Sequence, residues 1–170
     1  MSISSQKILG FDPGYGRTGF GVVEFSGSRL KCLNYGIIES PKEQEFNLRL
    51  KFLFKEAQRI IKKEKPDLIA VEELFFSKNV TTGIKVAEAR GVILLAATLA
   101  DLPVAEYKPN QIKQAISSYG RADKKQIQLI IKNILGLKEI PKPDDVADAL
   151  ALAVCAAGTY RFNKLCAKKI

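Results

Sequence analysis

Apolar and polar residues alternate in short bursts over the first quarter of the chain. Ile8-Leu9-Gly10-Phe11 is an apolar run that ends on Asp12, and Pro13-Gly14 breaks it. A second strand is predicted over Phe20–Phe25 and a third over Arg29–Glu39, in β-branched and aromatic composition that suits an antiparallel meander. The period then changes. From Ser40 to about Lys65, Leu50, Leu53, Phe54, Ala57, Ile60 and Ile61 recur on one helical face. Ser40, Pro41 and Glu43 read as N-cap, first helical residue and capping-box partner of that helix.

After Lys65-Pro66-Asp67 comes Leu68-Ile69-Ala70-Val71, nearly continuous in apolar residues, as in a buried parallel strand reached by a helical crossover. It too ends on carboxylates, Glu72 and Glu73. The helix predicted over Val80–Ala100 is apolar more widely than one stripe, which suits either a deep core or a self-pairing face. A short strand follows over Pro103–Tyr107, then helices over Pro109–Ser118 and from an Asp123 cap to Leu135, with Gly136 as C-cap. Beyond the linker Pro141-Lys142-Pro143, Asp144 or Asp145 opens a last helix to about Phe162, and residues 163–170 read as a frayed basic tail. The order predicts one α/β domain over residues 1–170. Its five-stranded mixed sheet has three antiparallel strands, then two parallel ones, with helices on both faces.

Composition narrows the chemistry. There is no histidine, which removes Ser-His-Asp and Cys-His triads and every His-containing zinc motif. Cys32, Cys155 and Cys166 are scattered and odd in number, as expected of reduced thiols. A metal site would therefore be all-oxygen, which selects Mg²⁺ or Mn²⁺. The net charge of +9 favours a polyanionic partner, nucleic acid first. No apolar run is long enough to span a bilayer and no leader pattern is seen, so a soluble, cytoplasmic protein is expected. Gly14-Tyr15-Gly16-Arg17-Thr18-Gly19 matches the dinucleotide fingerprint by letter. Strand composition follows it where that fingerprint needs a helix, so the nucleotide reading fails.

The carboxylates fall in three places. Asp12 and Glu72/Glu73 close two strands that would lie adjacent and parallel, and ligands gather at the carboxyl ends of such strands. Asp145 and Asp148 share one face of the last helix, Asp148 within the run Val146-Ala147-Asp148-Ala149-Leu150, where a charge needs a partner or a metal. Asp145 also fits a helix N-terminus. Three or four carboxylates at one spot cannot all ionise without cations, and a pair of Mg²⁺ ions would satisfy them. Alternation puts Glu72 and Glu73 on opposite faces and by itself chooses neither.

Gly10-Phe11-Asp12-Pro13-Gly14, Ala70-Val71-Glu72, Ala89-Arg90-Gly91 and Asp145-Val146-Ala147-Asp148-Ala149-Leu150-Ala151 resemble, in order and spacing, the RuvC family of Holliday-junction resolvases. The resemblance covers nearly the whole chain. It implies an RNase H-like fold and a homodimer that nicks four-way DNA junctions symmetrically with two Mg²⁺ ions, Mn²⁺ substituting. It implies Asp12, Glu72, Asp145 and Asp148 as catalytic metal ligands, with Asp12 bridging the metals. It also implies Phe75 as a junction-contacting aromatic, Lys113 and Lys124 as DNA-binding lysines, and a branch-migration complex of the RuvA and RuvB type as partner. Phe76 competes with Phe75 for the aromatic role. The third acidic position is histidine in some members, and Phe11 stands where isoleucine is more usual. The rival readings are a YqgF-type RNase H-like nuclease acting on RNA, an actin-like phosphotransferase, which needs a longer chain, and a non-catalytic basic DNA-binding module.

Overall fold

The computed structural model describes residues 5–74, 80–117 and 122–167. Strands β1 (Gln6–Asp12), β2 (Arg17–Ser26) and β3 (Arg29–Glu39) are followed by α1 (Phe46–Glu64) and β4 (Leu68–Glu72). Then come α2 (Val80–Thr98), β5 (Val104–Tyr107), α3 (Pro109–Ser117), α4 (Lys124–Leu135) and α5 (Asp144–Ala167). The sheet order is β3-β2-β1-β4-β5. β1 pairs antiparallel with β2, and β2 with β3, while β1–β4 and β4–β5 are parallel. This is the predicted mixed sheet.

Strand alternation divides the core between the two faces. Leu9, Phe11, Val22, Ile69 and Val71 pack against α1 and α2, with Leu53, Ala57, Ile60, Ala89, Ile93 and Ala97. Ile8, Val23, Phe25 and Ala70 point the other way, into a cluster with α3, α4 and the length of α5. α5 lies so close to β1 and β2 that a Cβ at Gly10 would overlap the Ala149 carbonyl, and one at Gly19 that of Asp145. Those glycines let the N-terminal half of α5 rest on the sheet backbone, and so fix where its aspartates stand.

Three boundaries differ from expectation. β2 begins at Arg17 and not at Phe20, because Arg17, Thr18 and Gly19 pair with Glu39, Ile38 and Ile37 of β3, and Gly19 pairs with Asp12 of β1 as well. α1 begins at Phe46 and has no side-chain cap. Ser40 is buried, and its hydroxyl is committed elsewhere: it lies 3.1 Å and 3.2 Å from the carbonyls of Tyr15 and Gly16 and accepts from Arg49 Nε at 2.9 Å. The capping-box reading of Ser40 is thus corrected; it ties the β1–β2 turn to α1. α5 continues to Ala167, past the Phe162 expected. Elsewhere the local chemistry acts as read. Asp123 caps α4 in a full capping box with Gln126, and Gly136 ends it in the left-handed conformation.

Candidate metal centre

Asp12 and Glu72 end neighbouring parallel strands. The register pairs Gly10 with Ala70 and Phe11 with Val71, so the two carboxylates stand one step further at the same level. Since Phe11 and Val71 point at α1 and α2, alternation turns Asp12 and Glu72 toward α5. Glu72 therefore faces the cavity and Glu73 does not, which the sequence pattern alone left open. Arg90, from the middle of α2, holds this strand end: its Nε donates to the Glu72 carbonyl at 3.0 Å, and its guanidinium pairs with Glu106 on β5.

A pocket of about 220 Å³ opens here, with Asp12, Glu72 and Asp148 converging from β1, β4 and α5. Lys113 of α3 and Lys124 of α4 line the same pocket, over an apolar floor that includes Ile112, Ile127 and Leu152. Asp145 lies one turn before Asp148 and presses on the Asp12 charge from the side. Lys124 Nζ donates to Asp148 Oδ2 at 3.1 Å and to Asp144 Oδ2 at 2.6 Å. Arg17 approaches from β2, its Nε 2.7 Å from Asp145 Oδ2 but out of hydrogen-bond alignment, so that oxygen is buried without a hydrogen bond. The same guanidinium reaches Asp144 at 3.7 Å.

The crowding shows in the acidities. Burial, then the charges of Asp148, Glu72 and Asp145, push Asp12 from 3.8 up to about 8, against the pull of Lys124. Burial and Asp148 raise Glu72, opposed by Lys124 and Lys113. Burial likewise raises Asp148 in spite of its bond to Lys124. Asp144, on the rim, is lowered by the same lysine. Burial pulls the Lys124 ammonium down, but its bonds to Asp144 and Asp148 prevail and hold it above the ordinary lysine value. Such a set gains most from a cation that replaces protons.

The donors fit a hard divalent metal. They are all carboxylate oxygen, Asp12, Glu72 and Asp148 converge on one pocket, and Asp145 beside them has a buried oxygen that is ion-paired with Arg17 but makes no hydrogen bond. Among the described residues no three carboxylates already form a cage, and the Lys124 ammonium is the cation paired with Asp148 and Asp144.

Of the residues singled out in the sequence, Asp12, Glu72, Asp148, Lys113 and Lys124 line one pocket, with Asp145 beside them. Phe75 and Phe76 lie outside the described residues. Cys32 and Cys155 are free, and burial raises both thiols to about 11, away from the thiolate form. Sequence reasoning missed Arg17 and Asp144. A cation three residues past Asp12-Pro13-Gly14, and a doubled aspartate at a helix start, were the signals available.

A family model described as crossover junction endodeoxyribonuclease RuvC matches residues 8–156. RuvC of Thermotoga petrophila is 53% identical over 159 residues, covering 94% of this chain and 96% of the relative. RuvC of Desulforamulus reducens is 53% identical over 150 residues, covering 88% and 92%. Among solved structures, Thermus thermophilus RuvC in complex with Holliday junction substrate aligns with a TM-score of 0.88 at 34% identity, over 93% of this chain and 96% of that one. The yeast mitochondrial Holliday junction resolvase, at a TM-score of 0.67 and 12% identity, covers 96% of this chain and 86% of its own, and shares the fold. A chain with this sheet, this acidic pocket and these relatives belongs to the RuvC family of crossover junction endodeoxyribonucleases, RNase H-like in fold.

Proposed function

We propose that this chain resolves four-way DNA junctions in homologous recombination and repair, by hydrolysing one phosphodiester bond in each of two symmetry-related strands. The observation that carries the reading is the convergence of Asp12, Glu72 and Asp148 on a pocket banked by Lys113 and Lys124. RuvC-family nucleases are metal-dependent. Two Mg²⁺ ions, for which Mn²⁺ would substitute, are the cations that Asp12, Glu72, Asp145 and Asp148 would hold. When bound, the metals supply activation of the attacking water and stabilisation of the leaving 3′-oxygen.

The protein's own groups do the rest. Asp12, raised to about 8, must give up its proton before it can serve, so the site becomes competent as that proton leaves. The water oxygen attacks phosphorus, the P–O3′ bond breaks, and the products are a 5′-phosphate and a 3′-hydroxyl. Lys113 and Lys124 neutralise phosphate oxygens as charge builds on them. Lys124 is held protonated by Asp144 and Asp148, and is ready for this role once cations relieve those carboxylates.

Two nicks require two sites. α2 buries Ala89, Ile93, Ala96 and Ala97 against its own sheet. On the opposite side, Ile84, Gly91, Leu95 and Leu99 form an exposed stripe at helical spacing, with Leu95 52% and Leu99 62% exposed. A Cβ at Gly91 would meet nothing within 4 Å, leaving room for a second helix to approach. This supports a two-fold homodimer through α2, whose axis would coincide with that of the junction. A branch-migration complex of the RuvA and RuvB type is the partner that would deliver the junction. No helix among the described residues is long and apolar enough to cross a membrane, in keeping with a cytoplasmic DNA enzyme.

The YqgF-type reading is not favoured, since relatives about half identical over nearly the whole chain are crossover junction endodeoxyribonucleases. The test is cleavage of a labelled four-way junction beside linear duplex and RNA–DNA hybrid of the same sequence, each with Mg²⁺ or chelator. Symmetric nicks in the junction, dependent on Mg²⁺, are expected. Cutting of the hybrid with the junction left intact would overturn the reading.

A further inference from the structure

A second cavity, of about 570 Å³, lies across the β1–β2 turn from the carboxylates, and its lining includes Tyr15, Arg17, Glu39, Lys42, Arg49 and Asp145. We propose that it is a phosphate-binding site for the DNA strand that passes over the carboxylates, with Lys42, Arg49 and the neighbouring Lys85 as its cations. This rests on the nuclease reading above and adds to it a strand path that the acidic pocket alone does not define.

The first argument is how those cations are held. The Arg49 guanidinium sits 5.4 Å from the Tyr15 ring centre, and Lys85 Nζ sits 5.5 Å from the same ring and 5.6 Å from that of Phe46. Phe46 meets Tyr15 edge to face at 6.1 Å. Arg49 spends its Nε on the neutral Ser40 hydroxyl. Ring faces and a hydroxyl orient a cation without cancelling it. Among the described residues Lys42, Arg49 and Lys85 form no ion pair. The contrast is with Arg17 and Lys124, whose charges are spent on the aspartates. Of the two lining carboxylates, Asp145 is already met by Arg17 and Glu39 is exposed, so the cavity keeps a positive excess. The space is also kept open, since a Cβ at Gly16 would come within 3.0 Å of the Arg49 guanidinium.

The second argument is position. Asp145 lines this cavity while Asp12 and Asp148 line the other, and only the turn Pro13–Gly16 separates them. Lys113 and Lys124 hold one bank of the carboxylates, and Lys42, Arg49 and Lys85 hold the other. A strand laid over the metal centre thus meets cations on both sides, which fixes its line across the site.

The test measures junction affinity against salt with the full chain, in Ca²⁺ so that binding is read without turnover. Lys42→Ala and Lys85→Ala should each make the slope of log affinity on log salt shallower by about one, and the double variant by about two. Lys62→Ala, in the last turn of α1, should leave it unchanged. Both lysines are exposed, so these variants fold even if Tyr15→Leu, which removes the shared ring, does not. In wild type, a neutral methylphosphonate at one phosphate beside the cut should weaken binding, and in the double variant the same replacement should cost nothing. Unchanged slopes in both single variants and in the double would overturn the proposal, provided wild type cuts the junction in Mg²⁺. A wild type that neither binds nor cuts it would overturn the nuclease reading instead.

Discussion

α2 and α5 look alike in sequence, since each is long, rich in alanine and branched aliphatics, and apolar over more than one stripe. The fold treats them differently. α5 lies against β1 and β2 and is roofed by α3 and α4, so that Val146, Ala147 and everything from Ala149 to Ala157 is buried. α2 lies at the outside of the other layer, packs against α1, and leaves Ile84 and Leu95 in solvent, with Leu99 exposed just past its end. The apolar surface of one helix is therefore covered within the chain, while the other keeps an exposed apolar stripe, the one proposed above to meet a second copy. The difference also bears on chemistry. Only the enclosed helix holds an aspartate, Asp148, in a setting dry enough to raise its pKa above the ordinary carboxylate value and favour a cation beside it.

The most damaging change should be Gly10→Ala. The new methyl meets the Ala149 backbone carbonyl, which no rotamer can avoid, so the contact between α5 and the sheet must open. A loss of about 3 kcal/mol is expected in urea unfolding. A neutral result would show that α5 is not seated as described. Leu95→Glu on α2 should instead spare the fold, within about 0.5 kcal/mol, while abolishing self-association in sedimentation at micromolar concentration. Paired nicking should fall with it. A wild type that is monomeric and still cuts both strands in concert would break the dimer proposal.

The acid cluster makes a pH prediction of opposite sign to that of an ordinary salt-bridged carboxylate. Asp12 has its folded value raised to about 8 from 3.8, so its contribution to stability is whole below about pH 4 and is lost as pH rises through 8. Without metal, wild type should lose stability over that window relative to Asp12→Asn. Thermal melts at several pH values check this, and Mg²⁺ should restore more stability at pH 8 than at pH 5. Parallel profiles for the two proteins would contradict the raised value. The smallest effect belongs to Gly91→Ala, which should stabilise the monomer by about 0.5–1 kcal/mol through helix propensity while weakening the dimer. An unchanged dimer would place Gly91 away from the contact.

The parts of the site that were legible are those written in local pattern. Asp12 and Glu72 end apolar strands, and Asp148 interrupts an alanine-leucine run, so each was visible as a charge where the period calls for something else. Strand alternation could not choose Glu72 over Glu73; the family resemblance chose Glu72, and the pairing register between β1 and β4 puts it level with Asp12, which no single strand encodes. Ser40 misled because its spacing to Glu43 is that of a capping box, while the tertiary structure buries it against the Tyr15 turn. Arg17, Asp144 and the Tyr15–Phe46–Arg49–Lys85 cluster gain meaning only from contacts between residues far apart in the chain. Which side of α2 remains bare was likewise decided by packing against α1, not by the composition of α2.

The central claim is that Asp12 acts through metal and not through the fold or DNA affinity. It is tested most directly by Asp12→Asn in a single-turnover assay on a labelled four-way junction, with binding measured in Ca²⁺ on the same samples. Cleavage in Mg²⁺ should fall by about 10²–10³-fold or more, with junction affinity within twofold or so of wild type and the cooperative melt intact. Cleavage that survives the substitution, or that falls only in step with binding, would contradict the account.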